Sequence, residues 1–383
     1  MAAYTLEQDW QAAVIGYPLL LRPQYDEKVW GGRRLETVLG KSLPLDAAIG
    51  ESLETGDAAV VVNGPLAGRT LGELARAAGE TLLGTRGALA SQPFGDFPLL
   101  VKFIDAADVL SVQVHPDDQG ALGLGKRGKT EAWYVVQAEP GAALITGLVD
   151  EVTADEVRAA IEVGGLDALL ERRTVACGDT LIVPAGTVHA IAAGVLLYEI
   201  QENSDVTFRL YDWERLGLDG LPRDLHLEDA LRALAPGRRA TTPPALPLTG
   251  RRAVLAACRY FTLERWTVDG EFVVPGSGGG SFHLLSGVEG ACELRGGKGD
   301  AVRLERGHTA LLPADLPECR LVGRATVLDA WIADLATDVV APLLSAGHQP
   351  EEIALLGGST GDLQGPVASA QRARSSRRRR RGP

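Results

Sequence analysis

Apolar and polar positions alternate through most of this chain, and helical spacing is confined to a few stretches. PLLVKFIDA (Pro98 to Ala106) and VLSVQVHP (Val109 to Pro116) read as strands. EAWYVVQAEPGAALITGL (Glu131 to Leu148) reads as a strand, a turn at Pro140-Gly141 and a second strand. Strands resume at DTLIVPAG (Asp179 to Gly186) and through VLLYEIQENSDVTFRLYDW (Val195 to Trp213). Between about Ala58 and Ser91, LGELARAAGETLLG carries apolar residues at helical spacing. TADEVRAAIEVGGLDALLERR reads as one helix that starts after Thr153, a good cap with Glu156 three residues on. LHLEDALRAL is a short helix, and the Pro-rich APGRRATTPPALPLTG (Ala235 to Gly250) reads as a linker.

A mostly β segment follows to about Leu335, and it echoes the first. CGDTLIVPAGTVH (Cys177 to His189) aligns with RGHTALLPADLPE (Arg306 to Glu318). The shared pattern is Gly, any residue, Thr, three apolar residues, Pro, Ala. The chain therefore reads as two copies of one β unit. The second copy is degenerate: Glu318 stands where the first has His189. The expected fold is mainly β, with two jelly-roll barrels and a helical insertion. The expected division is 1–240 for the first barrel, 251–335 for the second, and a disordered, Arg-rich tail over 336–383.

Bulk properties narrow the function. The chain has 383 residues, enough for two or three units with real cores. Its apolar runs are too short to span a bilayer, so no membrane role is expected. The start MAAYTLEQDW is polar and acidic and does not read as a signal peptide. Four scattered cysteines without a CxxC fit a reducing cytoplasm rather than a disulfide framework. Net charge is −12, although seven arginines crowd the C-terminal QRARSSRRRRRGP. An acidic body of this kind is a poor nucleic-acid partner.

The candidate chemistry lies in the first β unit. Strand alternation puts Ser111, Gln113 and His115 on one face and Val112 and Val114 on the other. Glu131 leads into an apolar strand, and a Pro-Ala-Gly turn delivers His189. Two imidazoles, a carboxylate and an amide oxygen suit Zn²⁺ or another divalent first-row ion. Glu199, Gln201 and Asn203 alternate onto one face of the next strand. Arg209 lies between Phe208 and Leu210, an apolar frame that fits either a salt-bridged strand arginine or a guanidinium delivered into a cavity. Lys102 is a similarly framed cation, and Lys129 lies two residues before Glu131. Three cations on an acidic body fit a phosphorylated small-molecule substrate.

QVHPD, GKTEAWYV, VPAGTVHAI and EIQENSDVTFRLYDW, with KVWGGRRL and GESLETGD upstream, resemble the type I mannose-6-phosphate isomerases. The resemblance covers roughly Tyr17 to Leu335. It implies a cupin-fold metalloenzyme of the short bacterial form that interconverts mannose 6-phosphate and fructose 6-phosphate through a cis-enediol. It places the zinc ligands on Gln113, His115, Glu131 and His189, and the active-site arginine on Arg209. It places substrate contacts on Ser111, Lys102 and Lys129, with a further acid at Asp205. The base that moves the proton is left open between Glu199, Lys129 and a metal-bound water. Two alternatives remain: a related cupin isomerase of another sugar phosphate, and a non-catalytic sugar-phosphate-binding cupin. The first sixteen residues and the tail from about Ala336 fall outside the resemblance. VPGSGGGSF (Val274 to Phe282) lacks the Lys-Ser/Thr of a phosphate loop and reads as a flexible hairpin.

Overall fold

The computed structural model describes residues 16–150, 152–297 and 299–380. The opening MAAYTLEQDW lies outside them. The strands of the first part are β1 (Leu19–Arg22), β2 (Gln24–Gly32), β3 (Ile49–Leu53), β4 (Val60–Val61), β5 (Leu99–Ala106), β6 (Val112–Val114) and β7 (Glu131–Ala138). They continue with β8 (Ala143–Leu148), β9 (Leu170–Thr174), β10 (Thr180–Val183), β11 (Ala190–Ile191), β12 (Val195–Glu202) and β13 (Phe208–Tyr211). The second part holds β14 (Leu246–Thr249), β15 (Arg252–Ala257), β16 (Thr262–Val273), β17 (His283–Gly296), β18 (Val302–Glu305), β19 (Thr309–Leu312) and β20 (Cys319–Trp331).

An antiparallel six-stranded sheet, β10-β7-β12-β5-β3-β2, builds one wall of the first barrel. The small sheets β11-β8-β9 and β13-β6 supply further strands. Both faces of the large sheet are covered, which explains why PLLVKFIDA lacks clean alternation. One face buries Ile104, Trp133, Val135 and Leu197 with Trp30 in the barrel core. The other buries Val101, Phe103, Tyr198 and Ile200 in a core that also holds Leu263, Leu284, Leu311 and Leu328 of the second part. The two barrels thus share a hydrophobic core.

A buried ion pair reinforces this joint. Lys41 Nζ donates to Glu54 Oε1 at 2.7 Å and to the Gly307 carbonyl at 2.5 Å. Ser52 Oγ donates to Glu54 Oε1 at 2.5 Å, and Thr309 Oγ1 to Oε2 at 3.2 Å.

The second barrel is a nine-stranded sheet in the order β14-β15-β16-β20-β17-β19-β1-β4, with β18 on β17. β1 and β4 come from the start of the chain, so the boundary near residue 240 does not separate the barrels cleanly. β1 pairs antiparallel with β19 on one side and β4 on the other.

Four sequence readings need correction. The helix after Thr153 has the expected capping box but spans only Ala154–Glu162. Gly164, with φ of +70°, ends it, and LLERR runs into β9. The Pro-rich linker is tied down: Ala240 N donates to Thr146 O, Thr241 bridges Ile182, and β14 joins the second sheet. The Gly-rich loop is fastened to the helix Glu80–Ser91, whose Thr85 and Arg86 amides donate to the Gly279 and Gly280 carbonyls. Gly84 permits that approach, since a Cβ there would lie 2.4 Å from Ser281 N. The expected disordered tail is helical over Leu335–Ser345, Pro350–Leu355 and Gln364–Arg380. Val339, Val340, Leu343, Leu344, Ile353 and Leu356 bury against Leu246, Val254 and Trp331, and that burial orders the segment. No described helix is long and apolar enough to cross a membrane.

Candidate active site

Strand register assembles the site. In the six-stranded sheet, Glu199 on β12 stands opposite Lys102 on β5 and Trp133 on β7. One alternation along, Gln201 stands opposite Glu131, and Glu51 on β3 shares the row of Ile104. Side chains of these rows point to one face. On the facing strands, Val112 and Val114 are fully buried in a satellite core, so Ser111, Gln113 and His115 turn the other way. Gln113 and His189 exchange backbone hydrogen bonds at 3.0 Å, and Gln113 pairs with Arg209 on β13.

Three of the expected ligands converge. His115, Glu131 and His189 are about 1% exposed, and their donor atoms lie within 4.8 Å of one another. Glu131 Oε1 is 3.3 Å from His115 Nε2 and 3.0 Å from His189 Nε2. None of these contacts has hydrogen-bond geometry. Both oxygens of Glu131, both ring nitrogens of His115 and Nε2 of His189 are buried without a hydrogen-bond partner. Five orphaned polar atoms in one spot would be costly unless something joins them. His189 Nδ1 sits 2.9 Å from the Thr187 carbonyl, which fixes the proton there and leaves Nε2 with a free lone pair. Burial, helped by Lys129, pushes His115 down to about 3, so its imidazole is neutral. Burial works to raise Glu131, but Lys129 and His115 outweigh it and hold the carboxyl well below its ordinary range. Neutral imidazoles and an ionised carboxylate are the donor forms a divalent ion requires. The residues fit a metal.

Beside this cluster lies a cavity of about 420 Å³. Ser111, Gln113, Lys102, Lys129, Glu199 and Arg209 all line it. Lys102 Nζ lies 3.5 Å from Glu199 Oε1 and 3.5 Å from Glu51 Oε1, and the two carboxylates push its pKa up despite burial. Glu199 accepts from Trp133 Nε1 at 3.0 Å. Burial, then the charge of Glu131, raises Glu199 to about 8. Arg209 is half-buried: Nη1 donates to the Asp224 carbonyl at 2.6 Å while Nε has no partner. Burial and the neighbouring Arg223 push its pKa down. Asp205 is at the cavity's edge, largely exposed and 3.1 Å from Lys126 Nζ. Gln201 and Asn203 are structural, donating to the carbonyls of Glu202, Ser204 and Phe97.

Several lining residues escaped the sequence reading. Glu51 bridges Lys28 at 3.0 Å and Lys102 at 3.5 Å. Burial opposes its ionisation, but Lys102 and Lys28 prevail and hold it at about 2. Trp30 closes the apolar side. Arg223 is held by the buried Asp212, which also binds Arg215 at 2.9 Å. The available signal was Gly50 in GESLETGD: a Cβ there would lie 2.5 Å from the Trp30 ring and 2.7 Å from Lys28.

An antiparallel double barrel that gathers two histidines and a glutamate beside one polar cavity is a cupin. The family "Phosphomannose isomerase type I, catalytic domain" matches residues 19–140, and "Mannose-6-phosphate isomerase, cupin domain" matches residues 252–330. A mannose-6-phosphate isomerase of Streptococcus mutans is 39% identical over 66% of this chain and 79% of its own length. ManA of Bacillus subtilis is 36% identical over 80% of this chain and 96% of its own. The crystal structure of a Bacillus subtilis mannose 6-phosphate isomerase superposes with a TM-score of 0.74 at 31% identity, covering 82% of this chain and 99% of that one. An Archaeoglobus fulgidus structure, at 22% identity and a TM-score of 0.65, shows the fold alone. The chain belongs to the type I phosphomannose isomerases.

Proposed function

We propose that this chain interconverts D-mannose 6-phosphate and D-fructose 6-phosphate, with the first barrel as the catalytic unit. The observation that carries the reading is the cluster of five orphaned donor atoms beside a cavity that several cations line. His115, Glu131 and His189 would hold Zn²⁺, with Gln113 as the fourth ligand. When bound, the ion would supply Lewis acidity toward the substrate's oxygens.

The remaining steps belong to the chain's own groups. Isomerisation moves a proton between C1 and C2 through a cis-enediol. Glu199 is the proposed base: it is buried, raised by that burial far above an ordinary carboxyl, and oriented by Trp133. Lys129 steadies the carboxylates beside it. Arg209 meets the negative charge that develops on the sugar oxygens. Lys102 and Ser111 bind the substrate, with Asp205 at the rim. The Lys102 ammonium is already shared between Glu51 and Glu199, so it would contact sugar oxygens and leave much of the phosphate to other cations. The proposed setting is the cytoplasm, which four unpaired cysteines fit.

The test compares turnover of mannose 6-phosphate, glucose 6-phosphate and free mannose, with metal content, in the native protein and in His189→Ala. Loss of both metal and turnover in the variant is expected. A metal-free protein with undiminished turnover would refute the metal centre, and preference for free mannose would move the substrate away from the phosphate ester.

A further inference from the structure

The second barrel has a cavity of its own. After β19, the turn Pro313 to Glu318 repeats the turn that delivers His189 after β10 in the first barrel. That turn, the Gly-rich loop after β16 and His283 together enclose about 570 Å³. The metal donors are missing from it, but His283 is set up in another way. Its Nδ1 lies 3.0 Å from the fully buried Asp329, and its ring stacks on Trp331 with centroids 5.0 Å apart. The ring is 6% exposed, and its Nε2 is buried without a hydrogen-bond partner. Two packed neighbours therefore fix an imidazole in the cavity wall with one nitrogen unsatisfied.

The first cavity mixes cations with carboxylates, and the second does not. Among the described lining residues there is no Lys or Arg, while Asp315 and Glu318 stand exposed on the turn. Glu318 accepts from Arg320 Nε at 2.8 Å, and the Asp315 carboxylate has no such partner. The lining thus offers a phosphate two carboxylates and no Lys or Arg of its own, the nearby Arg320 being engaged by Glu318. A hydroxyl group suits every polar group present: it can donate to or accept from Nε2, and it donates to carboxylates. We propose that the second barrel binds a neutral polyhydroxylated ligand, a free sugar or polyol, through His283. This site is independent of the isomerase reading.

Ligand-observed NMR on the full chain tests it, with D-mannose and sorbitol as probes and fructose 6-phosphate in saturating excess to fill the first barrel. Saturation transfer to at least one probe is expected to persist under that excess. Affinity is expected to fall about tenfold in His283→Ala, the loss for one well-made hydrogen bond, with turnover of mannose 6-phosphate unchanged. Should that variant not fold, the surface double variant Asp315→Ala/Glu318→Ala carries the same expectation. Transfer abolished by fructose 6-phosphate would place the probe in the first barrel and overturn the proposal. So would transfer indifferent to both variants. No transfer from either probe would leave a buried water as the partner of Nε2 and equally overturn it.

Discussion

Replacing Lys41 with methionine isolates one charge at the joint between the barrels. The side chains of Lys41 and Glu54 are 2% and 0% exposed, and the ammonium also lies 5.1 Å from the Phe103 ring centroid. In Lys41→Met, Glu54 keeps only the hydroxyls of Ser52 and Thr309, and the Gly307 carbonyl loses its donor. Removing one partner of a buried pair costs about 3–5 kcal/mol. The orphaned carbonyl adds about 1 kcal/mol. Native stability is only about 5–15 kcal/mol, so the variant should stand near its limit. Urea unfolding at neutral pH measures the loss. The double variant Lys41→Met/Glu54→Leu removes both charges and should recover most of it. A loss below about 1 kcal/mol in the single variant, or no recovery in the double, would refute the account of the joint.

Trp133→Phe removes the donor that favours ionised Glu199. A hydrogen bond to a charged group is worth about 1.5–3 kcal/mol, so the acid limb of kcat/KM should move up by about one to two pH units; an unmoved limb would exclude Glu199 as the base. Arg209→Ala should lower kcat by about 100-fold with a smaller change in KM, the pattern of a transition-state contact. A change in KM alone would make Arg209 a binding residue. Chelation should lower Tm and added Zn²⁺ restore it, the ion adding about 4 kcal/mol of stability at a thousandfold excess over Kd. In the metal-free protein His115 is depressed from 6.5 to about 3, so its contribution is present above 6.5 and is lost as pH falls toward 3. Acid titration of the metal-free protein by circular dichroism checks the direction.

Much of the site was legible because strand alternation is a local rule. Val112 and Val114 are both fully buried, and that alone fixes where Ser111, Gln113 and His115 point. The capping box at Thr153 and Glu156 was equally local, and both of its hydrogen bonds are present. What escaped was non-local. Glu51 gains its role from Lys28 and Lys102, which other strands bring to it. The tail is ordered by Leu246, Val254 and Trp331, far upstream of its own unremarkable composition. The leucines beyond Gly164 extend the helical spacing, but the positive φ of that glycine ends the helix before them.

The pairing of β1 with β19 governs the order in which this chain can be completed. Leu19 is among the first described residues to leave the ribosome, yet its partner Leu311 follows only after the whole first barrel has been synthesised. Until then β1 has β4 on one side only, and its other edge presents backbone amides and carbonyls that wait for β19, a long-range closure of the slow kind. Nascent fragments that stop short of β19 should therefore be sticky and dependent on holding chaperones. For the same reason, deleting residues 251–335 would not release an independent catalytic barrel, because it would strip β1 of β19 and leave that edge open beside β4.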